Sequence, residues 1–314
     1  MVMKGIYSSI GLGVCAAVAC FVLVASQARA QVIDGTLDPS YGSALAVNIN
    51  PTGFGDSSYS AGPNTPDANG SETDAGYGYI SGGHLNIFLS GNSENNGNHW
   101  NVFVDDGRVG QSTLNVSAGG SMLTMNGSVF SPGFQATYAL DLNDYQGTAY
   151  VEEYLLTAPA TLTGGYVGNF SLGPNGGIGN GTAGSTARIG LNNSNTGGVT
   201  GSSGSTGASL AVTTGLELSI PLTSLGNATG PFYVLADING GGDSYLSNQF
   251  LPGLPSGTGN LGAGGPYTGG GSAQFNFGST PGEYFVVPVV PEPSTIGLVV
   301  IGLLGALSVR RRKA

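Results

Sequence analysis

The chain has 314 residues, 57 of them glycine, with only 8% charged residues and a formal net charge of −10. So little charge excludes a coiled coil and a solvated disordered chain, and the lack of a three-residue glycine period excludes collagen. The stretch 31–290 holds two of the eight basic residues and 17 of the 18 acidic ones, a formal charge of −15 that repels phosphate backbones and excludes nucleic acid as a partner.

The N-terminus reads Lys4, an apolar run from Ile10 to Ala25, then Ala28-Arg29-Ala30. A basic start, an apolar middle and a small-x-small end predict a signal peptide over 1–30, cleaved after Ala30, with Ala28 and Ala30 as the recognised small residues. The alternative is an uncleaved anchor. Both cysteines, Cys15 and Cys20, lie in that run, so the chain after Ala30 has no thiol for a disulfide, a metal site or a nucleophile.

From residue 31 to 288 period-two alternation dominates. His84–Ser90 puts Leu85, Ile87 and Leu89 on one face, and Leu216, Leu218 and Ile220 alternate with Glu217 and Ser219 until Pro221 stops the ladder. Trp100–Val104 and Phe232–Ile238 are apolar on both faces, as fully buried strands are. Tyr150–Leu156 is a further strand, with Glu152 and Glu153 on opposite faces. No ten-residue window carries a helical stripe. Many short strands between Gly, Asn and Pro clusters predict an all-β fold, a two-sheet sandwich. Gly173–Gly184, Asn192–Gly207 and Gly253–Ser272 lack apolar periodicity and read as long flexible loops.

Candidate sites are few. Asp237-Ile238-Asn239-Gly240-Gly241-Gly242-Asp243 offers hard oxygen donors in a tight glycine loop, which makes Asp237, Asn239 and Asp243 candidate ligands for a structural Ca²⁺. Asp141-Leu142-Asn143-Asp144 followed by Glu152 has some EF-hand spacing, but lacks the sixth-position glycine and has strand-like flanks. The competing reading for both is an Asx-rich turn with solvated carboxylates. His84 and His99 have no Cys or second His at ligand spacing, so no transition metal or haem is expected. Trp100 is the one candidate sugar platform, although Val102 and Val104 share its parity and point to a core role. The carboxylate pairs Asp105–Asp106 and Glu152–Glu153 are adjacent on strands and diverge, and no nucleophile elbow is present, so no catalytic residue and no enzyme activity are expected.

The C-terminus reads Pro291-Glu292-Pro293-Ser294-Thr295, an apolar stretch Ile296–Val309, then Arg310-Arg311-Arg312-Lys313. At ~1.5 Å per residue this stretch is roughly 21 Å long as a helix, short for a ~30 Å hydrocarbon core but extendable by snorkelling arginines. The basic cluster belongs on the cytoplasmic side. The alternative is an ordinary tail anchor.

Pro-Glu-Pro, a short apolar span and a terminal Arg cluster resemble the PEP-CTERM sorting signal of Gram-negative bacteria. The resemblance covers 289–314 and implies a single transmembrane helix as a transient inner-membrane anchor and an exosortase as processing partner, with Pro291, Glu292, Pro293, Arg310, Arg311 and Arg312 as the signal. It further implies delivery to the cell surface or extracellular matrix and a structural or adhesive role in an exopolysaccharide-rich surface.

Within the body, Val32-Ile33-Asp34-Gly35-Thr36-Leu37-Asp38 is similar to the first strand of family 9 carbohydrate-binding modules and DOMON-like domains. Leu85–Leu89 with Val102-Phe103-Val104-Asp105 resembles the following hairpin. Glu217-Leu218-Ser219-Ile220-Pro221-Leu222, with Leu225-Gly226, resembles the late Glu-x-x-Ile-Pro strand. The implied fold is a jelly-roll-like sandwich, and the implied alternative function is a carbohydrate- or Ca²⁺-binding module. The body is also similar to exported sorting-tail proteins that share Asp-Gly-Thr-Leu-Asp near the start.

Overall fold

The computed structural model describes residues 31–54, 70–117, 119–157, 163–172, 178–262 and 274–289. Among the described residues the strands, in chain order, are β1 Ala46–Val47, β2 Glu72–Ser81, β3 His84–Asn92, β4 Asn96–Asp105, β5 Tyr138–Tyr145, β6 Thr148–Leu155 and β7 Thr163–Ser171. They continue with β8 Ile178–Gly181, β9 Arg188–Asn192, β10 Gly215–Pro221, β11 Phe232–Asn239, β12 Leu246–Leu251 and β13 Phe285–Val287. Among the described residues helix is confined to the four residues Thr206–Ser209 and to 3₁₀ turns at Pro39–Tyr41, Ser121–Met125 and Gly241–Asp243. No helix among the described residues is long and apolar enough to cross a membrane. The expected signal peptide with Ala28 and Ala30, and the expected apolar span with Pro291, Glu292, Pro293, Arg310, Arg311 and Arg312, lie outside the described residues.

Six strands form one sheet in the order β1-β2-β3-β10-β9-β8, and the others form a second in the order β12-β11-β4-β5-β6-β7, with β13 also pairing β11. Every pairing between these strands is antiparallel. Local turn chemistry explains the hairpins. Gly82 and Gly83, at φ +57° and +78°, join β2 to β3 so that Ser81 faces His84. Two successive residues at positive φ match the right-handed twist of the strands they connect, and glycine adopts them without steric cost.

The core between the sheets follows from the alternation. Leu85, Ile87 and Leu89 of β3 and Leu216, Leu218 and Ile220 of β10 are all fully buried in one cluster. Trp100, Val102 and Val104 of β4 and Phe232, Val234, Ala236 and Ile238 of β11 meet them from the opposite sheet. Each large side chain removed from water in this way contributes about 1.5–3 kcal/mol. Trp100 therefore lies inside this core and presents no ring face to a sugar.

The opposite face of β4 and β11 is also buried, for a separate reason. Irregular chain supplies Leu114, Val116, Met122, Met125, Phe130, Phe134, Phe275 and Phe277, which close over Phe103, Ala139, Leu235 and Phe250 in a second apolar cluster. The both-sided apolarity of these strands thus reflects a covering layer of loop as well as the facing sheet. A smaller cluster, Tyr41, Ala75, Tyr77 and Phe88, lies on the outer side of the six-stranded sheet.

Two of the expected flexible loops are corrected. Residues 178–181 form strand β8. The segment after Asn192 is docked through buried polar side chains: Asn193 Nδ2 donates to Asp144 Oδ2 at 2.6 Å, Asn195 donates to Glu72, and Val199 N donates to Asp74 Oδ1 at 2.8 Å. Low apolar content there records polar docking. In the third segment, Asn260 Nδ2 donates to Gly53 O at 2.6 Å, while 263–272 lie outside the described residues.

Candidate functional site

Strand register builds a polar row on the outer face of the seven-stranded sheet. Asp237 pairs with Asn101, Asn101 with Asp141, and Asp141 with Glu152, so four strands contribute one residue each. One step along the same face, Asn239 pairs with His99 and His99 with Asn143. Residues two apart on a strand share a face, so both rows point the same way, away from the Trp100 side. Every member except Asn143 is buried.

Two short turns cover the rows. The 3₁₀ turn Gly241–Asp243 follows β11 directly and brings Asp243 back over the sheet, with Gly242 and Asp243 both left-handed at φ +65° and +51°. The turn Ser121–Met125 lies against it, because Thr124 Oγ1 donates within reach of Gly242 O at 2.8 Å and Asp243 O at 2.7 Å. Asp243 thereby becomes fully buried beside His99 and Asp141, the one described group of three His, Cys, Asp or Glu side chains whose ligand atoms lie within 4.8 Å of one another.

The polar contacts inside this site are specific. His99 Nδ1 is 2.7 Å from Asp141 Oδ1 and 3.8 Å from Asp243 Oδ2. Gly242 N donates to His99 Nε2 at 3.1 Å, which places the ring proton on Nδ1, donated to Asp141. Asn101 Nδ2 donates to Asp243 Oδ1 at 2.7 Å. Burial opposes a charged His99 ring, but the negative charges of Asp141 and Asp243 prevail and push it up to about 10. A doubly protonated ring cannot accept from Gly242, so the hydrogen-bond geometry and that upward push conflict as long as both carboxylates stand uncompensated. The geometry describes a neutral ring. Burial, then the charge of Asp243, raises Asp141 well above the carboxylate range, and the same two causes raise Asp237.

Of the residues expected from the Asp-x-Asn-Gly-Gly-Gly-Asp stretch, Asp237 and Asn239 lie on β11 and Asp243 in the turn, all fully buried; the solvated Asx turn is not what forms. His99, Asp141 and Asn101 join them from other strands. The 141–152 segment is no metal loop but the β5–β6 hairpin, in which Asp141 faces Glu152 across the pair. Glu152 is occupied by Ser121 N at 2.7 Å and Tyr154 Oη at 2.6 Å. Glu153 points to the other side, accepting from Tyr138 Oη at 2.9 Å. Asp105 accepts from Gly107 N and Gln135 N, both at 2.8 Å, and Asp106 is held by Arg108 Nε at 2.9 Å.

A second acidic pair is buried in the other sheet. Glu72 and Asp74 of β2 are fully buried; burial, then the charge of Asp74, raises Glu72 to about 11, and burial raises Asp74 to about 8. The opening turn, in contrast, meets Glu217: Asp34 N at 2.9 Å and Gly35 N at 3.1 Å donate to Oε2, and Tyr41 Oη donates to Oε1 at 3.1 Å. The two stretches that resemble carbohydrate-binding modules are thus physically joined.

No curated protein and no solved structure matches the chain. Residues 289–313 match the PEP-CTERM protein-sorting motif, which marks a chain for export and C-terminal sorting through an exosortase.

Proposed function

We propose that this is an exported, non-enzymatic protein of the cell envelope or extracellular matrix, processed by an exosortase and serving a structural or adhesive role in an exopolysaccharide-rich surface. The observation that carries the reading is the sorting motif at 289–313. The His–carboxylate cluster adds support for a non-enzymatic role, since His99, Asp141 and Asp243 are each at most 1% exposed and no substrate reaches them. Replacing Glu292 with Ala leaves the precursor in the inner membrane, and the surface fraction of the natural chain ends near Pro293. Mass spectrometry that recovers Ile296–Arg310 attached to surface-localised protein overturns the reading.

One observation favours carbohydrate binding as a second reading. Tyr150 and Tyr166, 36% and 55% exposed, hold their ring centroids 6.4 Å apart with 38° between planes. Exposed ring faces suit the apolar face of a sugar. Saturable binding on a glycan array, lost in Tyr166→Ala, supports this reading, and an array without signal removes it.

A further inference from the structure

The oxygen accounting of the Asp237–Asp243 region does not close within the protein. Both carboxylate oxygens of Asp237 have no hydrogen-bond partner, nor do Asp141 Oδ2, Asp243 Oδ2, Asn101 Oδ1 and Asn239 Oδ1. Asp237, Asn101, Asn239 and Asp243 are 0% exposed, and Asp141 is 1% exposed. A buried acceptor left unpaired costs about 1–3 kcal/mol, and a buried unpaired charge costs more. Six such atoms on five side chains, gathered by register on one patch of one sheet face, is not how a settled polar interior looks.

The charges do not close either. Three carboxylates, Asp141, Asp237 and Asp243, share the patch with one imidazole, and among the described residues no Lys or Arg pairs with any of them. Arg108 is engaged by Asp106, and Arg188, on β9 of the other sheet, is exposed. The unpaired atoms are all oxygens, from carboxylates and amides, which is the donor set of a hard cation that takes six to eight ligands.

We propose that Asp141 and Asp243, whose ligand atoms lie within 4.8 Å of one another, bind one Ca²⁺ ion with the amide oxygens of Asn101 and Asn239 on the outer face of the seven-stranded sheet, that Asp237, outside that radius, completes the site through a bound water, and that His99 is a positioning residue that fixes Asp141. The ion supplies two positive charges where the chain supplies none, and it gives the unpaired oxygens their partner. His99, placed with Nδ1 on Asp141 Oδ1 at 2.7 Å and Nε2 on Gly242 N at 3.1 Å, holds the Asp141 carboxylate in place, as an outer partner of a metal ligand does. The left-handed Asp243 (φ +51°) is what turns its carboxylate inward toward the sheet. The proposal is independent of the sorting reading, since it rests on residues 99–243 alone.

The test uses the full chain in detergent, stripped with a chelator and titrated with Ca²⁺, Mn²⁺ or Zn²⁺. Millimolar Ca²⁺ raises Tm by about 5 °C or more, with one ion bound per chain by calorimetry. Asp237→Asn at least halves the rise; its only polar support from a protein side chain is the Asn239 amide, which an isosteric amide keeps, so it folds as the parent does and carries the test even if Asp243→Asn fails to fold. His99→Gln weakens Ca²⁺ binding about 10–100-fold. Asp106→Asn leaves the Ca²⁺ response unchanged. No Tm rise with Ca²⁺, a rise undiminished in Asp237→Asn, or a response to Zn²⁺ in place of Ca²⁺ overturns the proposal.

Discussion

Glu217 and Asp237 occupy matching situations in the two sheets. Each is fully buried, on a strand paired on both sides, and on the sheet face turned away from the central core. Glu217 is satisfied by the chain itself, through two backbone N–H groups of the opening turn and the Tyr41 hydroxyl. Neither oxygen of Asp237 meets a donor in hydrogen-bond geometry, and only the nearby Asn239 amide favours its charged form. Burial of an acid is therefore not by itself the mark of a ligand site. The difference lies in who supplies the partner: the first acid staples a strand, and the second waits on something from outside the chain. The pair Glu72–Asp74 is a third solution: each accepts from one protein donor, Asn195 and Val199 N, and burial raises both pKa values far enough that the acids hold their protons.

The largest effect belongs to the staple. Glu217→Ala strands Asp34 N, Gly35 N and Tyr41 Oη in a buried place, and three lost partners cost about 3–5 kcal/mol in total. At about 2–4 °C per kcal/mol this lowers Tm by roughly 10 °C in thermal unfolding of the full chain. A drop under ~3 °C shows that the opening turn does not depend on Glu217 and dissolves the comparison.

The same contrast explains what the sequence revealed. Strands β3 and β10 were legible because apolar residues repeat every two positions, β4 and β11 because they are apolar on both faces, and β6 because Glu152 and Glu153 sit within an otherwise apolar run. β5 was not, because Asp141, Asn143 and Asp144 resemble turn chemistry, and β8 and β9 were hidden by glycine. The Asn192–Gly207 segment looked flexible because its anchors are polar: Asn193 and Asn195 dock on Asp144 and Glu72, which lie about 50 and 120 residues away in sequence. At the site, Asp237, Asn239 and Asp243 announced themselves by spacing within one loop. Asp141 was noticed only within a separate 141–152 spacing and His99 only as a histidine without a partner, since only cross-strand register brings them to this site. The feature that would have raised them is the parity of His99, Asn101 and Phe103, opposite to Trp100 on the same strand.

The protonated pair sharpens the comparison through pH. Glu72 rises from 4.5 to about 11 and Asp74 from 3.8 to about 8, so the native state holds protons that the unfolded chain has released. Below about pH 4 both states are protonated and the contribution is fully present. It is lost as pH climbs from there, through about 8 for Asp74 and about 11 for Glu72, because stability falls wherever the native state binds more protons. Glu72→Gln keeps the shape and removes that residue's titration, so the variant loses about 4 kcal/mol less than the natural chain between pH 5 and 8. Urea midpoints at the two pH values check this, and parallel declines refute the protonated-pair reading.

Gly198 tests the same pair by geometry. Its φ is +103°, and a Cβ there clashes with both carboxylate oxygens of Asp74. Gly198→Ala combines an unfavourable backbone with a steric clash, so it costs about 2 kcal/mol, measured in the same urea titrations. A neutral result means that the loop carrying Val199 moves away from Asp74 without penalty.

The smallest effect is the most discriminating, because its sign opposes that of Glu217. In the presence of a chelator, Asp237→Asn replaces a buried carboxyl that meets no donor in hydrogen-bond geometry, and the amide keeps its place beside Asn239. The cost of burying an acid is removed and little is forfeited, so stability stays level or rises by about 1 kcal/mol. In saturating Ca²⁺ the order reverses, because the natural chain gains more of the ion's binding energy than the variant does. A buried acid that serves the fold, as Glu217 does, lowers stability in both conditions when it is replaced. A loss of about 2 kcal/mol or more for Asp237→Asn under chelation therefore places Asp237 with Glu217, as an internal staple, and removes the distinction between the two sheets.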